Sequence, residues 1–302
     1  MLLLNNITLE GADLAGKTTL MKRLHKETKN KYNIIDRSLM SALVYARLYK
    51  RPNISLLEKQ LRDDLNNLNN RTIVLMPDLE LLGERYNKRG DEIQNWHGII
   101  KIREAYEEVL NIYESFSTVH VVRNSSELPW EPHDEVLKYL ANSETSDIPY
   151  QVRQNAIASD NEAFPVTFEV NLGASFMTSH ADALEHQSEK AYYTKILSKM
   201  LTTITKENIG DNPYGKPQDP KATRRYIYAD DSCIALFHMM YRKDRLNFYA
   251  TLRSSDVVNI FEHDYKFLLY LCGQCAKAVG IKDYEIPKEN TLTITLHSAH
   301  IT

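Results

Sequence analysis

The sequence predicts an α/β domain, a parallel sheet covered by helices on both faces, followed by a second domain built separately. Three observations predict it. Short apolar strands alternate with segments of helical periodicity through the first part of the chain. A complete GxxxxGK[ST] string, Gly11 to Thr18, falls between the first strand and the first helix. From Asn124 to about Gln151 the composition turns to Ser, Pro, Glu and Asn, which places a boundary near residue 145 and gives domains 1–145 and 146–302. At 302 residues and 43% hydrophobic content the chain can fill two ordinary cores.

Taken in order, Leu2 to Leu9 is mostly apolar and reads as a strand, Gly11 to Lys17 as a turn, and Thr18 to Thr28 as a helix. Asn33 to Asp36 and Arg71 to Met76 read as short buried strands, Ser55 to Leu68 and Trp96 to Tyr113 as helices, and Thr118 to Val122 as a further strand. In the boundary segment Pro129, Pro132 and Pro149 flank one short helical stretch, Asp134 to Leu140. A second polar, Pro-containing stretch, Asn208 to Ala222, reads as a long loop inside the second domain.

A formal net charge of −3 with no basic block argues against nucleic acid or a membrane surface as partner. No apolar run approaches the roughly 18 residues of a membrane span, and Met1 to Leu9 leads straight into the glycine loop, so the expected location is cytoplasmic. Three cysteines, Cys233, Cys272 and Cys275, do not make a disulfide framework and suit a reducing compartment. Cys272 and Cys275 have CxxC spacing but lie in an apolar stretch without a second cysteine pair, which favours helix packing over zinc.

The run Gly11-Ala12-Asp13-Leu14-Ala15-Gly16-Lys17-Thr18-Thr19 has the chemistry of a phosphate-binding loop. Its glycines let backbone N–H groups close around phosphate oxygens, and the following helix adds a favourable dipole. Lys17 is placed to reach the β- and γ-phosphates of ATP, and Thr18 offers a hydroxyl to Mg²⁺. With Glu10 in front, this run resembles the thymidylate kinase family, whose opening is Glu-Gly-x-Asp-Gly-x-Gly-Lys-Thr-Thr; the one departure is Leu14. Two more landmarks follow in family order: Asp36-Arg37-Ser38 with Ser41 and Tyr45, and an arginine-bearing lid, Glu84-Arg85-Tyr86-Asn87-Lys88-Arg89-Gly90-Asp91, before Arg103-Glu104-Ala105-Tyr106. The resemblance covers about residues 1 to 140. It implies a P-loop kinase acting on a deoxynucleoside monophosphate, with Asp13 facing the sugar hydroxyl, Arg37 and Arg103 on the monophosphate, Asp36 in the Mg²⁺ shell, and Arg85 and Arg89 over the transferring group. Arg85 and Arg89 also suit a surface ion pair on a helix, and Arg103 equally suits a polar helix face; those alternatives stay open. Only about 18 positions separate Lys17 from Asp36, fewer than in the family, so thymine specificity is not carried over.

In the second half, Thr223-Arg224-Arg225, Cys233, Arg253-Ser254-Ser255-Asp256-Val257 and His300 stand in the order of the thymidylate synthase superfamily. The resemblance implies an α+β domain that binds a deoxypyrimidine monophosphate through Arg224, Arg225, Arg253, Ser254, Asp256, Asp264 and His300. It also implies a thiolate nucleophile at Cys233 and a homodimer in which the Arg224–Arg225 pair serves the other subunit. Asp264 falls where members acting on deoxycytidylate carry a base-reading aspartate; it equally suits a helix N-terminal acid. Arginines near a thiol lower its pKa, and a buried, inert Cys233 is the alternative. Ile234, Ile260 and Thr302 replace a histidine, a glycine and a tyrosine of the family, and the C-terminal segment that covers folate has no counterpart, so the domain is shortened. These departures count against folate binding.

Three functions follow. The first is a kinase with a synthase-like nucleotide-binding partner domain. The second is a bifunctional enzyme that also methylates or hydroxymethylates a deoxypyrimidine monophosphate at C5, a pairing that suits a virus altering its DNA bases. The third is a non-enzymatic nucleotide sensor or scaffold.

Overall fold

Strand β1 (Asn6–Glu10) is the hub of a four-stranded, wholly parallel sheet. It pairs with β2 (Asn33–Asp36) on one side and β3 (Asn70–Met76) on the other, and β4 (Val119–Arg123) pairs outside β3. The computed structural model describes residues 1–91, 93–123, 132–173, 181–184, 189–209, 226–242, 245–281 and 289–302. The chain divides into two units, Leu4–Ser146 and a second made of Met1–Leu3 with Asp147–Thr302.

In the first unit the chain leaves β1 through α1 (Lys17–Glu27) to β2, then crosses by α2 (Leu39–Leu48) and α3 (Ile54–Leu65) to β3 on the opposite side of β1. That reversal opens a crevice beyond the carboxyl ends of β1 and β3, the usual binding place in open parallel sheets. The remaining helices are α4 (Leu79–Arg89), α5 (Trp96–Tyr113) and α6 (His133–Thr145). They pack in two groups, α1 with α6, and α2 with α3 and α5, to which α4 adds. Burial explains the apolar runs: Ile7, Leu9, Ile73, Val74 and Leu75 are fully enclosed, as strands covered on both faces must be.

Two departures from the sequence reading have physical causes. The apolar run from Leu2 is divided: Leu2 bridges Val170 and the Leu3 amide donates to the Glu169 carbonyl (3.1 Å), so residues 1–3 join the second unit and β1 starts at Asn6. Helix α2, which the sequence reading passed over, has little amphipathic contrast because it is enclosed at Met40, Leu43, Val44 and Ala46.

The second unit contains α7 (Ile148–Ala158), β5 (Glu162–Ala163) and β6 (Val166–Asn171), then α8 (Lys190–Ile209) and β7 (Tyr226–Ala229). It continues with β8 (Ile234–Arg242), β9 (Arg245–Leu252), β10 (Ser255–Asp256), α9 (Phe261–Ala278), β11 (Thr291–Leu296) and β12 (Ala299–His300). The larger sheet runs β6-β11-β9-β8-β7, with only β11 and β9 parallel; a smaller one runs β10-β12-β5. Helix α9 buries Phe261, Phe267, Leu268, Leu271, Cys272 and Cys275 along one side. Both cysteines are fully buried, and burial pushes their thiols upward, so they are packing residues.

Candidate functional site

Directly after β1 the chain turns tightly across the end of β3. Gly11 has φ 132°, and a Cβ there would stand 2.4 Å from the Leu75 carbonyl oxygen, so only glycine fits. Leu14 has a left-handed backbone (φ 65°), a conformation that favours glycine. Gly16, φ 101°, opens α1 without a side-chain cap, which leaves the first-turn amides directed at the crevice. Lys17 is 7% exposed, and its Nζ donates to the Gly11 and Ala12 carbonyls at 2.8 and 2.9 Å. Burial lowers its pKa, as does Arg37; Asp13, Asp36 and Glu10 pull the other way.

These residues wall a cleft of about 710 Å³. Six basic side chains line it, Lys17, Arg23, Arg37, Arg85, Lys88 and Arg89, against three carboxylates, Asp13, Asp36 and Asp91, so the cleft suits an anion. Arg37 sits at φ 64° in the turn after β2 and pairs with Asp13, its guanidinium 5.7 Å from the Tyr45 ring centre. Helix α4, capped by Asp78 accepting from the Leu81 amide, carries Arg85 over the loop, where it donates to the Leu14 carbonyl (2.8 Å). Arg89, one turn on, lines the cleft from an exposed position, as do Thr18, Thr19 and Asp36. Arg103 is not in the lining; its Nε donates to the Pro77 carbonyl (2.9 Å) and it pairs with Glu107, which ties α5 to the end of β3.

Beneath the cleft lies a buried group centred on Glu10, whose motif neighbours along the chain give no sign of it. Glu10 is fully buried and accepts from the Ser38 amide (2.7 Å), Ser38 Oγ (3.0 Å), the Ser41 amide (3.3 Å), Ser41 Oγ and the Tyr106 hydroxyl (2.9 Å). Burial, then the nearby Glu10 charge, push the Tyr106 phenol well above its ordinary value. At another part of the cleft Arg23 donates to His133 Nδ1 (2.9 Å), a contact across 110 residues with no local signal.

In the second unit, antiparallel pairing of β8 with β9 sets Ile234 opposite Leu252, so Cys233 and Arg253 are neighbours across the hairpin. The Arg253 amide donates to the Cys233 carbonyl (2.9 Å), while its side chain is exposed. Cys233 Sγ donates to the Ser254 carbonyl (2.6 Å) and lies 3.9 Å from Asp264 Oδ2. Asp264, in the first turn of α9 and 1% exposed, also accepts from the Tyr193 hydroxyl and from Ser255 Oγ, each at 2.9 Å. Burial pushes its carboxyl up to about 6. Burial, then the Asp264 charge, push the Cys233 thiol up to about 12, opposite to the lowering expected from nearby arginines. Arg224 and Arg225 lie outside the described residues. Asp256 closes a turn onto the Val258 and Asn259 amides and accepts from Thr302; burial opposes its charge, but these bonds outweigh it and hold the carboxyl at about 2. His300 pairs with Asp256 through β12 and β10. Tyr192 and Tyr193 of α8, absent from the sequence motifs, complete the cluster, Tyr192 accepting from the Ile234 amide (2.6 Å).

No family model matches the chain, and no curated protein matches it by sequence. Among solved structures, the YorR protein of Bacillus subtilis, described in complex with phosphorylated GDP, aligns with a TM-score of 0.36 and 21% identity over 47% of this chain and 99% of that one. Thermostable thymidylate synthase A from Bacillus subtilis aligns with a TM-score of 0.29 and 10% identity over 46% of this chain and 66% of that one. Likenesses at these scores leave activity to be argued from the chain's own residues. Among the described residues no helix is long and apolar enough to cross a membrane.

Proposed function

We propose that the Leu4–Ser146 unit is a P-loop kinase that transfers the γ-phosphate of ATP to a deoxynucleoside monophosphate. The observation that carries this reading is the convergence of Lys17, Arg37, Arg85 and Arg89 with the α1 N-terminus on one cleft. Phosphoryl transfer needs positioned positive charge around three equatorial oxygens and little covalent help from the protein. On this reading Lys17 exchanges the Gly11 and Ala12 carbonyls for the β- and γ-phosphates. Arg37 exchanges Asp13 for the acceptor's phosphate, and Asp13 then accepts from the sugar hydroxyl. Arg85 and Arg89 close over the group in transfer. Thr18 and Asp36 offer a hydroxyl and a carboxylate on the same cleft, hard oxygen donors that fit Mg²⁺. Bound there, it would neutralise phosphate charge.

The second unit we read as a deoxypyrimidine monophosphate-binding partner domain. A thiol held near 12 favours binding over the C5 chemistry of a bifunctional enzyme.

The test is ADP formation from ATP and Mg²⁺ with each deoxynucleoside monophosphate in turn, 5-methyl and 5-hydroxymethyl deoxycytidylate included, beside Lys17→Ala. A signal that the variant abolishes is expected. Silence across the panel would overturn the kinase and leave a nucleotide sensor. Tritium release from C5 of a pyrimidine nucleotide that depends on Cys233 and folate would restore the bifunctional reading.

A further inference from the structure

The turn that presents Arg37 is held from below by a residue that cannot touch a ligand. Arg37 has a left-handed backbone, φ 64°, where a side chain other than glycine is strained. Such a conformation persists only when its neighbours are fixed. On its amino side, the Arg37 amide donates to the Leu9 carbonyl (3.0 Å). On its carboxyl side stands Ser38, the cap residue of α2, whose hydroxyl makes no capping bond to the helix. Glu10 Oε1 does that work instead, accepting from the Ser38 amide, Ser38 Oγ and the Ser41 amide. The carboxylate thus satisfies first-turn donors of α2 and meets the positive end of its dipole. Glu10 Oε2 is fixed in turn by Ser41 Oγ and Tyr106. Glu10 belongs to β1 and Arg37 to the turn after β2, so this clamp ties the end of β1 to the turn that brings Arg37 into the cleft lining.

We propose that Glu10 is a positioning residue for the acceptor phosphate: by clamping the start of α2 it holds Arg37 in the left-handed turn that directs the guanidinium into the cleft. The inference rests on the reading that Arg37 takes the acceptor's phosphate. Glu10 is fully buried, is not among the residues that line the cleft, and bonds to Ser38, Ser41 and Tyr106. Its pull on Lys17 is weaker than that of Asp13 or Asp36, so the ATP end of the cleft should respond less to its loss.

Calorimetric titration of dTMP and, separately, of ADP into the full chain and into Glu10→Ala and Glu10→Gln tests this without relying on turnover. Glu10→Ala is expected to weaken dTMP binding about tenfold or more, the loss of one well-placed charged contact, and ADP binding by less than about threefold. Glu10→Gln keeps an oxygen for the Ser38 and Ser41 amides and should retain most of the dTMP affinity. Equal losses for both ligands would reduce Glu10 to a general structural role and overturn the proposal, as would dTMP binding unchanged in Glu10→Ala. A wild-type chain that binds ADP but no deoxynucleoside monophosphate would overturn the acceptor reading itself, and the positioning role with it. Should Glu10→Ala not fold, Glu10→Asp, whose shorter reach releases the Ser41 contacts, carries the same expectation.

Discussion

Replacing Asp264 by Asn should stabilise the second unit at neutral pH although it removes a hydrogen-bonded acid. The side chain is 1% exposed, and burial lifts its carboxyl from 3.8 to about 6. The Tyr193 and Ser255 hydroxyls favour the charged form but do not offset the lost hydration. Below about pH 4 the acid is protonated in both folded and unfolded chains and imposes no penalty. Between about pH 4 and 6 the folded unit keeps a proton that the unfolded chain has released, so stability falls as pH rises. Above about pH 6 the whole difference, about 2 pKa units at 1.36 kcal/mol each, costs about 3 kcal/mol. Asparagine has the same outline without the charge, and the hydroxyls of Tyr193 and Ser255 can accept from its amide as well as donate. Allowing for that rearrangement, Asp264→Asn should gain about 1 to 3 kcal/mol at pH 8 and nothing at pH 4. Urea unfolding followed by circular dichroism reads this directly: with a slope of about 1 to 3 kcal/mol/M, the midpoint should move up by about 1 M at pH 8 only. A midpoint that falls at both pH values would refute the reasoning and mean that the Tyr193 and Ser255 hydrogen bonds outweigh the cost of burying the charge.

Gly11→Ala should cost about 3 kcal/mol or more, because the new methyl meets the Leu75 carbonyl at 2.4 Å on a backbone with φ 132°. Gly90→Ala, also at positive φ (70°) but with open space around it, should cost about 1 to 2 kcal/mol, and equal losses in thermal melts would remove the close-approach explanation. Cys233 should react slowly with iodoacetamide: at pH 8 a thiol held at about 12 is roughly one part in ten thousand thiolate, against about one in ten for an ordinary cysteine. Peptide mapping that finds Cys233 alkylated as fast as a free thiol would restore it as a nucleophile.

What was legible in the sequence was what lies close together along it. The loop from Gly11 to Thr18 is contiguous, so its place between strand and helix was readable, and even the odd Leu14 marks a position whose backbone is left-handed. Cys233 and Arg253 were legible as motif residues in order, but the hairpin that makes them neighbours was not. For Arg103 the sequence left two roles open, since a helical arginine near a motif carries no sign of whether it points to the cleft or to the Pro77 carbonyl. The Glu10 network joins residues 28, 31 and 96 positions apart, and no periodicity records such contacts. Asp264 suited a base-reading and a helix-start acid equally, and its bond to Tyr193, on a helix 71 positions away, left no trace in the local pattern. In each case the local pattern supplied the residue type, and the tertiary fold supplied the charge environment that decides its chemistry.

That environment also constrains what the first unit can bind. Four cations of the cleft already have partners: Lys17 on the Gly11 and Ala12 carbonyls, Arg85 on the Leu14 carbonyl, Arg23 on His133, and Arg37 on Asp13. A phosphate that enters makes an exchange, and the terms differ at the two ends. Carbonyl oxygens are neutral acceptors, and a charged phosphate oxygen is roughly twice as strong, so Lys17 and Arg85 favour the exchange with nothing further required. Arg37 must leave a carboxylate, which then stands beside an incoming anion, and the repulsion opposes binding unless Asp13 gains a donor. A ligand that brings a phosphate and a hydroxyl at sugar spacing supplies both halves of that exchange, whereas inorganic phosphate supplies one. The Asp13–Arg37 pair is therefore a selectivity device on the proposed reading: it rejects small anions from the acceptor end and admits a nucleoside monophosphate.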